Sequence, residues 1–176
     1  MVKSNTLLER KYDDLESYTR RQNLRIVGIA EPDDGTEDGN ACVEKVKNEI
    51  AKLGLHLDLN LAVDCAHRIG PKTDRRGNKI QRPMIVRFTW WRARTYVYTN
   101  RKKNNGEGRR EGANFYVDLT KKRFDLKKKG QDLTKDIARV KFCYADINNN
   151  ICLMLENNAK KIFNSEEELE TILANL

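Results

Sequence analysis

The side chains able to do chemistry in this chain are mostly cations, and they are concentrated. Residues 66–110 hold fourteen Lys and Arg, among them Arg68, Arg75, Arg76, Arg82 and Arg87, against two acids, Asp74 and Glu107. That segment is net +12, whereas the whole 176-residue chain is only +8, so the rest of the protein is net negative. Positive charge is therefore placed and not merely abundant. Guanidinium groups grip phosphates bidentately and lie flat on bases, so such a segment points to a polyanion, nucleic acid first. The plainer reading is a solvated basic surface. At the centre of the segment, Arg82-Pro-Met-Ile-Val-Arg-Phe88 alternates like a half-buried strand. Met84, Val86 and Phe88 share one face; Ile85 and Arg87 share the other.

Catalytic chemistry is thinly supplied. There are two histidines. His67 lies two residues from Cys65, but no further ligands follow at metal spacing, and His56 falls in a loop. Gly106-Glu-Gly108 lacks the lysine and the preceding strand of a phosphate-binding loop. Acids cluster at Glu31–Asp38, read as a loop without partners, and at Glu166–Glu168, read as a helix start. A carboxylate metal site in 31–38, as in a nuclease or polymerase, is the best enzymatic alternative. It needs two acids on adjacent central strands, and those positions carry arginine and aliphatic residues. The expectation is no enzyme, no metal and no cofactor. Four cysteines without a CxxC pair read as free thiols in a reducing, intracellular compartment. No signal peptide is visible, and no apolar run nears the ~20 residues that span a bilayer.

The elements that must position these residues follow from spacing. Residues 5–22 read as a helix with Leu8, Tyr12, Leu15 and Thr19 along a heptad seam, closed by Arg20-Arg21. It is read as the end of a coiled coil, the alternative being docking on its own domain. Asn23–Ile29 reads as a strand with Arg25 and Val27 on one face. Thr36 is the expected N-cap of a helix carrying Val43, Val46, Ile50 and Leu53, which Gly54 ends. Ala62–Ile69 is a short strand with Cys65 or Ala66 inward. Gly70 to Gln81 has the turn and charge chemistry of an exposed hairpin arm, with Arg75-Arg76 at its tip. After the central strand, Thr89 is the expected cap of a helix in which Trp90 joins the core and Trp91 is unassigned. Lys102–Gly112 is a basic loop, and Asn114–Leu119 a last strand. Strand, helix, strand, strand, helix, strand is the split βαβ, ferredoxin-like order.

Beyond it, Thr120 caps a charged helix reaching about Lys135. Arg139–Tyr144 and Ile151–Leu155 form a hairpin turning at Ala145–Asn150, and a helix starts at Ser165 with Leu169, Ile172, Leu173 and Leu176 buried. The expected class is α+β. Residues 1–22 are the end of a coiled-coil helix, 23–119 the ferredoxin-like domain, and 120–176 a small α/β C-terminal domain.

The run Leu15-Glu-Ser-Tyr-Thr-Arg-Arg-Gln-Asn-Leu-Arg-Ile-Val-Gly-Ile29 resembles the first-open-reading-frame protein of LINE-type (L1-like) retrotransposons. Ala66-His-Arg-Ile-Gly70, Arg82–Phe88 and Asp118-Leu-Thr120 do so too, in the same order. The resemblance covers nearly the whole chain. It implies a trimerising coiled coil, mostly absent here, then an RNA recognition motif and a C-terminal domain. It implies binding of RNA and single-stranded DNA, coating of the element's transcript, chaperone action, and residence in cytoplasmic or nuclear ribonucleoprotein particles without membrane contact. Arg139, Lys141 and Tyr144 resemble the part of the C-terminal domain that holds the strand. By parity Arg139 and Lys141 share a face with Cys143, and Tyr144 is placed to stack a base.

This sequence departs from an ordinary RNA recognition motif, which stacks bases on aromatics of its two central strands. Pro83 and Ile85 stand where two of those aromatics belong, and Arg25 where the third does. The expected ligand set is Arg20, Arg21, Arg25, Arg68, Arg75, Arg76, Arg82, Arg87, Arg139, Lys141 and Tyr144. The expected binding is sequence-tolerant and strongly salt-dependent. The competing reading is a protein-interaction module built on the first helix, with the basic charge incidental.

Overall fold

The computed structural model describes residues 2–32, 36–101 and 112–176; Gly35 of the acidic loop and Lys102–Arg110 of the basic loop lie outside them. The chain begins with helix α1 (Val2–Thr19) and a 3-10 turn (Arg20–Gln22). Two compact units follow from its contacts: Gln22–Asp118, and Met1–Arg21 together with Leu119–Leu176. The chain is α+β, as its patterning predicts.

The central unit runs β1 (Asn23–Val27), α2 (Gly39–Ala51), a one-turn helix α3 (Leu59–Ala62), β2 (Val63–Arg68), β3 (Met84–Phe88), α4 (Trp91–Asn100) and β4 (Asn114–Val117). Its sheet has the order β2-β3-β1-β4, and each neighbouring pair is antiparallel. Alternation dictates the core. Leu24, Ile26, Met84, Val86 and Phe88 are completely buried against Val46 and Ile50 of α2 and Val97 of α4. A bulge in β2 at Val63/Cys65 turns Ala66 inward and leaves Cys65 exposed. Gly54, at φ +62°, follows α2 as expected.

Three local expectations shift. The cap of α2 is Asp38, whose carboxylate accepts from the Ala41 N–H at 2.7 Å, not Thr36. The cap position of α4 is Trp90, not Thr89. The Thr89 hydroxyl donates instead to the Leu61 carbonyl at 2.7 Å, and its N–H to Ala62, so β3 stays tied to α3 one residue longer. Trp90 consequently projects from extended backbone and is 40% exposed, whereas it was expected in the core. The inward positions of α4 fall to Ala93, Arg94 and Val97. Arg94 is completely buried; its Nε donates to the Asn23 carbonyl and its guanidinium lies 5.4 Å from the Tyr98 ring.

The second unit joins α1 to α5 (Lys121–Thr134), β5 (Val140–Ala145), β6 (Ile151–Leu155), β7 (Lys160–Phe163) and α6 (Glu166–Ala174). Thr120 and Ser165 cap α5 and α6 as expected. The antiparallel sheet β5-β6-β7 buries Cys143, Ile151, Leu153 and Phe163 against Leu126 and Leu169 of the two helices. β7 has no counterpart in the sequence reading. Its Lys-Lys start obscures the strand pattern, and charge is a common guard on a sheet edge. α1 docks through polar groups. Asp13 and Ser17 are buried; Asp13 accepts from the Thr120 hydroxyl at 2.5 Å and from Arg123 Nε at 2.8 Å. Leu8, Tyr12 and Leu15, the expected seam, stay exposed.

Gly130 lets α5 approach its sheet. A Cβ there would lie 2.9 Å from Cys143 Sγ and 3.0 Å from the Phe163 ring. Helix propensity alone favours alanine by about 1 kcal/mol, but overpacking costs about 1–3 kcal/mol. Gly130→Ala is therefore expected to lower stability in urea unfolding. A stabilised variant would show that α5 is free to shift.

Candidate nucleic-acid interface

The face of the central sheet opposite its helices is set by register. Arg25 stands between Ile85 on β3 and Tyr116 on β4, and Ile85 pairs in turn with His67 on β2. The next row holds Cys65, Arg87 and Asn23, and Val27 pairs with Asn114. Arg25 and Arg87 thus share a face, as alternation requires. No acid pairs with Arg25 among the described residues. Arg87 has one long contact, 3.6 Å to Asp64, with both side chains more than half exposed. Such a pair is weak and leaves the cation available. Tyr116, 45% exposed, is the aromatic that sequence reading missed. Its signal was parity: Phe115 and Val117 face the core, so Asn114 and Tyr116 face out.

Arg68 and Arg82 are elsewhere. The Arg68 side chain is 4% exposed and contacts a Glu37 carboxylate, itself 2% exposed, at 2.7 Å. Its remaining N–H groups donate to the carbonyls of Ile29, Ala30 and Arg82. Arg82 pairs with Glu31 through Nε and Nη2, and its own N–H also donates to that carboxylate at 2.6 Å. The acidic loop is therefore not without partners. Glu31 and Glu37 consume two arginines expected to hold a ligand, and both corrections have one cause: pairing across 51 and 31 residues. Burial raises the Glu37 carboxyl, but Arg68 and Lys45 outweigh it and hold the group below its ordinary range. The hydrogen bond from Arg82 likewise lowers Glu31.

The arm continues the β2–β3 hairpin through Ile69 N–H to Pro83, a Thr73–Lys79 bridge and Ile80 N–H to Lys72. Its tip is built on one carboxylate. Asp74 accepts from the N–H of Arg76 and of Asn78 and from the Asn78 side chain, and Gly77 adopts φ +83°. The Asn78 bonds hold the Asp74 carboxyl below its usual value. Arg75 and Arg76 are exposed on an ordered turn.

In the other unit, Arg20 is paired to Glu16 at 2.7 Å, and Arg21 lies 3.6 Å over the exposed Tyr18 ring. Arg139 and Lys141 are exposed, but they do not share a face with Cys143. A bulge between Val140 and Phe142 shifts the register, so Val140 and Cys143 point inward while Lys141 and Phe142 are both exposed. Lys141 Nζ donates to Asn158 at 2.9 Å. Tyr144 is half-buried, its ring 5.4 Å from that of Phe142 and edge-on to it.

Searched against family models and curated proteins, the chain matches no family model and no curated protein.

The pairing of Glu37 sets a pH dependence. Its carboxyl is depressed in the fold, so its contribution is complete at neutral pH. That contribution is lost as pH falls below the ordinary value of about 4.3. Glu37→Gln is expected to cost on the order of 3 kcal/mol at pH 7. The difference from the native chain should shrink on acidification. Urea unfolding at stepped pH measures both, and a pH-independent difference would contradict the pairing.

Proposed function

We propose that this chain binds single-stranded RNA and DNA largely without regard to sequence. It coats strands and eases their rearrangement, as the resemblance to LINE-type first-open-reading-frame proteins implies. The observation that carries the reading is the open face of the central sheet, which displays Arg25, Arg87 and Tyr116 beside an arm presenting Arg75 and Arg76. The order strand, helix, strand, strand, helix, strand and the sheet order β2-β3-β1-β4 support assigning Gln22–Asp118 to the RNA recognition motif arrangement. On this reading phosphates meet the arginines, and Tyr116 offers one stacking surface at the sheet edge. Few bases are read, so affinity is electrostatic and tolerant. Chaperone action of this kind needs preference for unpaired strands and no catalytic group.

Arg68 and Arg82 leave the ligand set on this reading, and Arg20 contributes less than Arg21. The reading keeps the chain in ribonucleoprotein particles. Among the described residues no helix is long and apolar enough to cross a membrane. The exposed stripe Leu8, Tyr12 and Leu15 on α1 supports self-association through a coiled coil. The same stripe favours the second reading, a protein-interaction module; that reading requires the basic face to be idle.

Reversing Arg75 and Arg76 to Glu tests the arm. The expected result is weaker binding by a similar factor for all single-stranded sequences, with a shallower dependence on salt. Fluorescence anisotropy on homopolymers and mixed oligonucleotides measures it. A loss confined to one sequence would show that the arm reads bases, and no loss would remove it from the interface.

A further inference from the structure

The outer face of the second sheet resembles neither a core nor an ordinary solvated surface. α5 and α6 cover its inner face through Leu126 and Leu169. On the outer face, Phe142 pairs with Met154 and then Lys160, and Tyr144 with Cys152 and then Ile162. Phe142 is 52% exposed and Ile162 47% exposed, while Tyr144 and Met154 are half-buried. The bulge that breaks the parity of β5 is what brings Phe142 to the surface. The three strands hold Lys141, Lys160 and Lys161 and no acid. On the outer face Lys160 pairs with Asp146 at 2.7 Å and the exposed Lys141 donates to Asn158 at 2.9 Å, whereas Lys161 pairs with Leu153 and so belongs to the other face.

We infer that this face is a base-stacking platform: Phe142 and Tyr144 each take an unpaired base, Ile162 and Met154 flank them, and Lys141 and Arg139 meet the phosphates. The inference rests on the single-strand reading above and adds to it a site, a ligand chemistry and three residues outside the expected set. The two rings meet edge to face with centroids 5.4 Å apart, an arrangement that leaves at least one face of each ring turned away from the other. Every base has a π face, so such a platform is sequence-tolerant. A base inside a duplex has no free face to offer, so the platform also discriminates against double strands. A protein partner fits less well. Strands of this length make a face of roughly 250 Å², against about 800 Å² per partner in a stable interface. Its charges are of one sign.

The test uses the full chain and a single-stranded oligonucleotide carrying 5-iodouracil, which crosslinks to stacked aromatic side chains on irradiation. The crosslink is expected in the peptide holding Phe142 and Tyr144. Phe142→Ala is expected to weaken binding about tenfold without changing the salt slope, because no charge is removed. Phe142→Trp should retain affinity, and an abasic oligonucleotide should bind the native chain and Phe142→Ala alike. Phe142 is exposed, so the alanine variant should unfold like the native chain. If the native chain binds with steep salt dependence but Phe142→Ala binds equally well and crosslinks map elsewhere, the platform is overturned and the single-strand reading stands. If Phe142→Ala changes only the sedimentation of the chain, the face is a self-association surface and the platform is likewise overturned. If the native chain binds no single strand, the reading beneath it fails as well.

Discussion

One guanidinium fixes the frame on which the central unit presents its charge. Arg68 leaves the end of β2 and bonds to Glu37 and to the carbonyls of Ile29, Ala30 and Arg82. Those groups belong to the exit of β1, the entry to α2 and the base of the arm. A buried cation is costly to desolvate and persists only when its donors are satisfied, as they are here. Glu31 and Arg82 add a second tie beside it, with both side chains largely buried. The arm therefore departs from an anchored base, and its tip is organised again by Asp74. Cations are sorted by this arrangement. Arg68, Arg82 and Arg94 are structural, while Arg25, Arg75, Arg76 and Arg87 stay on the surface.

That sorting explains which parts of the fold were legible in the sequence. Met84, Val86 and Phe88 against Ile85 and Arg87 could be read from alternation, because a strand's period of two depends on the backbone alone. Thr120 and Ser165 were legible caps because each bonds the helix directly after it. The misses involve side chains drawn away by distant partners. Thr89 satisfies Leu61 and leaves the cap position to Trp90; Glu37, read as a loop acid without partners, turns to Arg68. In β5 a single bulged residue reversed the parity beyond Val140, exposing Phe142 and separating Lys141 from Cys143. Such an insertion has no local signature in Val-Lys-Phe-Cys-Tyr-Ala.

The proposed site was legible in its charge and only partly in its geometry. Composition located the cationic segment, and alternation placed Arg25 and Arg87 on one face. Neither could tell a paired arginine from an available one, since the deciding acids lie 31 and 51 residues away. Aromatic surface was undercounted: parity in Asn-Phe-Tyr-Val already turned Tyr116 outward, whereas Phe142 owes its exposure to a bulge that only the folded register shows. On the proposed reading, exposed arginines supply affinity and these rings supply the preference for unpaired strands.

The central claim is that the surface arginines of the central unit hold single strands through their phosphates. The measurement that tests it most directly is fluorescence anisotropy of the chain with single-stranded RNA, DNA of the same sequence and the corresponding duplex, over a series of salt concentrations. Oligonucleotides of about 20 nucleotides exceed the ~4–16 that a single module covers. The account predicts that both single strands bind more tightly than the duplex, with log affinity falling linearly and steeply against log salt. Affinity that is flat with salt, or greatest for the duplex, would contradict it.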